Sequence, residues 1–225
     1  MGWQFNPMQM GLLIKPPQKG GFHYKLLTMI TKVNILIDGG FFWQCFKKQN
    51  SGRNPQPKDV VNTVSQIMAL VKKKTSGDTT DILFRVFYYD CRPFGEVIKD
   101  TNGKSIDYSQ SKGYAEKNKY LNTLCQMERF ALRLGELSFT GWKQDPYSKK
   151  MKPDFKQKSV DMKFGLDMAV MATKHTVDKI VLVAGDSDFI TPIKYARTEG
   201  LQIYLYPMGN HIKQTLRGHC DYVLK

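Results

Sequence analysis

The stretch IVLVAGDSDFITPIKYARTEGLQIYLY, residues 180–206, decides the fold. Ile180–Ala184 is an unbroken apolar run, the pattern of a strand buried on both faces of a parallel sheet. Gly185-Asp186-Ser187-Asp188 turns the chain, and Phe189, Ile190, Ile193 and Ala196 then repeat at helical spacing to about Arg197. Pro192 is compatible with that helix if it lies in the first turn, where amide hydrogens have no intrahelical acceptor. Gly200 suits the helix stop, and Leu201–Tyr206 reads as the next strand. Strand, helix and strand in so short a space make a βαβ unit with parallel strands.

The same alternation extends outward. Ser159 is the expected N-cap of a helix running to about His175 and leading into the Ile180 strand. Far upstream, Val33–Ile37 is another continuous apolar run, ended by Asp38-Gly39-Gly40. Val60, Val61, Val64, Ile67, Met68 and Val71 form a helical stripe over 58–74. Ile82–Tyr89 is β-branched and aromatic, a second strand. A helix is expected over 115–133, with Leu121, Leu124, Cys125, Phe130 and Leu132, and a strand at Leu137–Trp142. A short helix near 210–217 and a short strand at Asp221–Leu224 close the chain. The expected fold class is α/β, a three-layer sandwich with a mostly parallel central sheet and helices on both faces. Two stretches break the alternation: the turn-rich 91–114 and the lysine-rich 143–158, the latter read as a solvated loop. Residues 1–28 lack a clear period and are read as an irregular extension, leaving 29–225 as one domain.

Composition narrows the function. The 225 residues carry 34 Lys+Arg against 20 Asp+Glu, a formal net charge of +14. Such an excess points to a polyanionic partner. With 41% hydrophobic residues the chain can build a core, so a disordered protein is excluded. No run of about 18 apolar residues is present, so no helix is expected to span a membrane; an acidic lipid surface is the second reading of the charge, and the expectation is no membrane partner. The four cysteines form no CxxC pair and the histidines lack ligand spacing, which argues against a zinc site or a disulfide framework and fits a reducing cytoplasm.

The carboxylates carry the chemistry. In an open parallel sheet, ligands bind beyond the carboxyl ends of the strands. Asp38 leaves one such end, and Asp186 and Asp188 leave another. If these strands are neighbours, the three acids converge. Asp161, in a first helical turn, could join them, but the sequence leaves open which end of the sheet it faces. Clustered carboxylates stay ionised together only beside a compensating cation, and hard oxygen donors suit Mg²⁺ or Mn²⁺. Two such ions support phosphodiester hydrolysis. Each acid also has a plainer reading, Asp38 as a turn residue, Asp186 or Asp188 as a helix cap, and Asp161 as a dipole-favoured acid. Asp167 lies about 240° around the helix from Asp161 and, with Ser187 and Asp90, is a candidate for support behind the acids.

VNILIDGGFF (33–42), KSVDMKFGLDMAVMA (158–172), the block 181–206 and LRGHCDYVL (216–224) together resemble the NYN-domain, LabA-like family of PIN-type nucleases over most of residues 30–225. The resemblance implies a PIN-like fold and metal-dependent ribonuclease activity. It places Asp38, Asp161, Asp186 and Asp188 at the acidic metal positions and Asp167 at a recurrent acidic one. Many relatives read D-G-x-N after the first strand, whereas Phe41 stands at that Asn here.

The expected activity is therefore endonucleolytic hydrolysis of single-stranded RNA with Mg²⁺ or Mn²⁺. Lys143, Lys149, Lys150, Lys152, Lys156 and Lys158 are expected to hold the phosphate backbone, with Trp142 and Tyr147 available for stacking. Two alternatives stand beside this reading, a catalytically weak RNA-binding module and a small-molecule phosphohydrolase. A homodimer or a protein partner is left open.

Overall fold

The computed structural model describes residues 29–75 and 79–225, so the expected extension at 1–28 lies outside the described residues. Strand β1 (Met29–Asp38) runs straight into helix α1 (Gly39–Gln49). Then follow α2 (Pro57–Lys74), β2 (Thr79–Cys91), a small hairpin of β3 (Val97–Lys99) and β4 (Ser105–Asp107), and α3 (Lys112–Cys125). The chain continues through β5 (Phe130–Gln144), β6 (Met151–Lys158), α4 (Val160–Thr173) and β7 (Lys179–Val183). It closes with α5 (Ile190–Thr198), β8 (Gln202–Leu205), α6 (Gln214–Arg217) and β9 (Tyr222–Val223).

Seven strands form one sheet in the order β6-β5-β2-β1-β7-β8-β9. Every neighbouring pair is parallel except β5 with β6. β1 alternates its side chains between two cores, as a strand's period of two requires. Val33, Ile35 and Ile37 join Phe42 of α1, Val64 and Ile67 of α2 and Leu121 of α3. Leu36 joins Phe164 of α4, Ile193 of α5 and Leu216 of α6. The expected three-layer α/β sandwich is what the chain forms.

Several local expectations are corrected. Asp38-Gly39-Gly40 ends β1 but opens α1, because the Asp38 carboxylate accepts the Phe41 N–H at 3.1 Å and so caps the helix. Gly39 is needed at this turn. A Cβ there would lie 2.7 Å from both the Tyr89 carbonyl oxygen and the Asp90 carboxylate. The helix expected over 115–133 stops at Cys125, and Phe130 and Leu132 belong to β5. The stretch 143–158 is a hairpin of β5 and β6, not a loop. Its lysines occupy the solvated side, while Phe155 packs with Phe94, Tyr108 and Phe139. Ser159 does precede α4, but with a left-handed backbone (φ 67) and no side-chain cap bond.

The topology creates a crevice. From β1 the chain passes to the α1–α3 layer and the sheet grows toward β6; from β7 it passes to the α4–α6 layer and the sheet grows toward β9. The connections therefore part between β1 and β7, and the gap at their carboxyl ends is the topological switch point where open α/β sheets bind ligands.

Candidate active site

β1 and β7 are paired from Val33↔Lys179 to Ile37↔Val183, so Asp38 and the loop Gly185-Asp186-Ser187-Asp188 leave adjacent strands at the same rim. α4 runs antiparallel to β7 and begins at this rim, which settles the open question about Asp161: it faces the carboxyl end. Asp161 is the electrostatic link. Its charge, with that of Asp90, is felt by Asp38, and it feels Asp186 and Asp188 in turn. Burial pushes the Asp38 carboxyl above its ordinary range, and the neighbouring acids add to this against the opposing Phe41 and Gly40 amides. Partial desolvation likewise raises Asp161, helped by Asp186 and Asp188.

The eight ion pairs among the described residues include none of Asp38, Asp161, Asp186 or Asp188. Such a cluster in a chain of net charge +14 asks for an outside cation. The donors also fit one chemically, since four carboxylates are hard oxygen ligands of the kind Mg²⁺ and Mn²⁺ accept. Between Asp186 and Asp188, the Ser187 hydroxyl is buried with no hydrogen-bond partner. A buried hydroxyl left free in this way suits a site built to receive a polar ligand. The convergence is looser than expected, however. Among the described residues no three acidic, histidine or cysteine side chains stand as a ready-made cage. Mutual repulsion opposes closer approach, and Asp186 spends one oxygen accepting the Asp188 N–H at 3.1 Å, so it is also the cap its plainer reading proposed.

The supporting residues divide. Asp90, at the end of β2, is buried; it accepts the Cys91 N–H at 2.7 Å and Lys117 Nζ at 2.6 Å. The Lys117 ammonium also lies 4.4 Å from the centre of the Trp43 ring. Asp167 accepts the Tyr89 hydroxyl at 2.8 Å and Arg133 Nε at 2.7 Å. It therefore clamps α4, whose first turn carries Asp161, onto the sheet. Nothing in the local sequence of α3 singled out Lys117; only the fold brings it beside Asp90.

The expected nucleic-acid contacts lie on the β5–β6 hairpin. Lys143 pairs with Asp154, and Lys152 with Asp145 at 2.6 Å, so these two tie the hairpin to itself. Lys149, Lys150, Lys156 and Lys158 have no carboxylate partner among the described residues. Tyr147 at the tip is 93% exposed. Trp142 is engaged: its ring packs edge-on against Phe139, and its N–H donates to the Lys99 carbonyl at 3.0 Å.

The NYN domain family matches residues 78–225, about two thirds of the chain, and the chain belongs to that family. The family is one of PIN-like nucleases that act on RNA. The match is narrower than the resemblance read over 30–225. β1 and Asp38 precede it, although β1 lies at the middle of the same sheet. No curated protein matches the chain. Among the described residues no helix is long and apolar enough to cross a membrane.

Proposed function

We propose that this chain is a metal-dependent endoribonuclease acting on single-stranded RNA, its domain comprising residues 29–225. The observation that carries the reading is the set of four carboxylates at the β1–β7 switch point with no cation partner among the described residues. Asp38, Asp161, Asp186 and Asp188 would hold Mg²⁺ or Mn²⁺. When bound, the ion would supply Lewis-acid polarisation of the phosphodiester and an activated water.

The chain's own residues do the rest. Asp38 is fixed by the Phe41 amide and Asp186 by the Asp188 amide, so each presents a pre-aimed carboxylate. Asp167 holds Asp161 in place through α4. Lys117 pairs with Asp90, so this acid, unlike the four, has its own cation. Ser187 offers a hydroxyl to a water or a phosphate oxygen. The unpaired lysines of the β5–β6 hairpin hold the strand by its phosphates.

The test is cleavage of an end-labelled single-stranded RNA with Mg²⁺ or Mn²⁺, with EDTA, and by Asp186→Asn. Cleavage is expected in metal alone. Cleavage that persists in EDTA or in Asp186→Asn overturns the reading, as does turnover of a nucleotide monophosphate in preference to the oligonucleotide.

A further inference from the structure

An aromatic ring links the residue that leaves β1 to the loop that leaves β7. The Phe41 N–H is bound to the Asp38 carboxylate, which fixes the first turn of α1. From there the side chain reaches across to the β7 loop. An added Cβ at Gly185 would meet Phe41 Cε2 at 2.5 Å, Cδ2 at 3.1 Å and Cζ at 3.3 Å. The ring thus occupies the space a side chain at 185 would take, and the bare glycine is what admits it. Phe41 packs on the α1–α3 core and stays partly exposed. The rim that carries the carboxylates therefore also carries an aromatic ring, set between the residues that leave β1 and β7.

A phosphate, a sugar hydroxyl or a metal ion gains nothing from a phenyl face. A flat aromatic heterocycle does, since base–aromatic stacking is favourable for every base. We infer that Phe41 is a specificity-determining platform on which one unpaired nucleobase, next to the scissile phosphate, stacks. This rests on the nuclease reading and deepens it. Bases inside a duplex already stack on their neighbours and cannot reach the ring, so single strands or splayed loops are selected. The platform also supplies a chemical use for a position where the resembled family commonly carries Asn.

The probe is a single-stranded RNA oligonucleotide containing 2-aminopurine, titrated in EDTA so that it is not cut. The wild-type protein is expected to quench the fluorescence. Phe41→Leu is expected to lose the quench and bind about 5- to 150-fold more weakly, the range one stacked base supplies. Phe41→Trp should restore both. In cleavage assays the loss should appear in KM, with kcat little changed. Unlabelled duplex of the same sequence should compete poorly against wild type, a measurement that needs no variant to fold. The inference is overturned by absence of quenching, by equal competition from duplex, or by Phe41→Leu binding and cutting as well as wild type, which would make the ring a filler or a plug. If no RNA is cut with any metal while the Phe41-dependent quench persists, the nuclease reading fails and the platform stands.

Discussion

Asp81 at the amino end of the parallel sheet and Asp38 and Asp161 at its carboxyl end are treated in opposite ways. At the amino end, Asp81 of β2 is paired with Lys179 of β7, both almost fully buried, and Asp81 also accepts hydroxyls from Thr31 and Thr75. Burial alone would raise the Asp81 carboxyl, yet these partners hold it below its ordinary value. At the carboxyl end, desolvation pushes up both Asp38 and Asp161, helped by Asp161 and Asp90 at the first and by Asp186 and Asp188 at the second. One end is a closed electrostatic account that holds strands together. The other carries unbalanced charge, which is unfavourable for folding and persists where it serves a ligand.

That contrast can be broken at either end. The largest effect is expected at the carboxyl end, on activity. Asp186→Asn or Asp38→Asn should lower RNA cleavage by about 10³-fold, as removal of a ligand worth several kcal/mol implies, with far-UV circular dichroism unchanged. The amino end should respond in stability instead. Lys179→Met leaves Asp81 buried without its cation and should cost about 3–5 kcal/mol. That is a fall in Tm on the order of 10 °C by calorimetry, with cleavage at low temperature retained. An Asp38→Asn protein that loses as much stability as Lys179→Met would erase the distinction.

Smaller effects sharpen it. In metal-free protein, Asp161→Asn should raise Tm by about 2–4 °C, since it removes repulsion. Mn²⁺ should raise the Tm of wild type more than that of Asp186→Asn. The pH dependence should differ in sign. The lowered Asp81 carboxyl contributes stability above its ordinary value, lost as pH falls through its folded value. The raised carboxyls of Asp38 and Asp161 do the reverse. Their contribution is present at low pH and lost as pH rises through their folded values. The Tm gain of Asp161→Asn should therefore shrink between pH 7 and pH 4, measured without metal. The smallest effect concerns the hairpin. Lys149→Glu with Lys150→Glu should weaken RNA binding for all sequences alike and reduce the salt slope by about one unit per lost phosphate contact.

Much of this was legible because parallel strands buried on both faces write themselves as unbroken apolar runs. Val33–Ile37 and Ile180–Ala184 needed no partner to be recognised, and the acids at their ends followed. What the runs do not encode is adjacency. That β1 lies beside β7, and that Asp161 opens at the same rim, depends on long-range pairing. Elsewhere local signals misled. Gly39 and Gly40 read as a turn because glycine is a poor helix former, yet the close approach of Asp90 requires one of them inside α1. In β6 the charged residues Lys152, Asp154, Lys156 and Lys158 sit on alternate positions and concealed a strand whose other side carries Phe155. Phe41 drew notice only as a departure from the resembled family, and its contact with Gly185 came from the fold.

The pairing of Ile35 with Val181 joins strands separated by most of the chain. During synthesis, Asp38 emerges long before Asp186, and the rim that unites them cannot close until β7 has left the ribosome. Under the proposed nuclease reading, a nascent chain that displays β1 and Asp38 has no competent centre until Asp186 and Asp188 have also emerged and β7 has paired with β1.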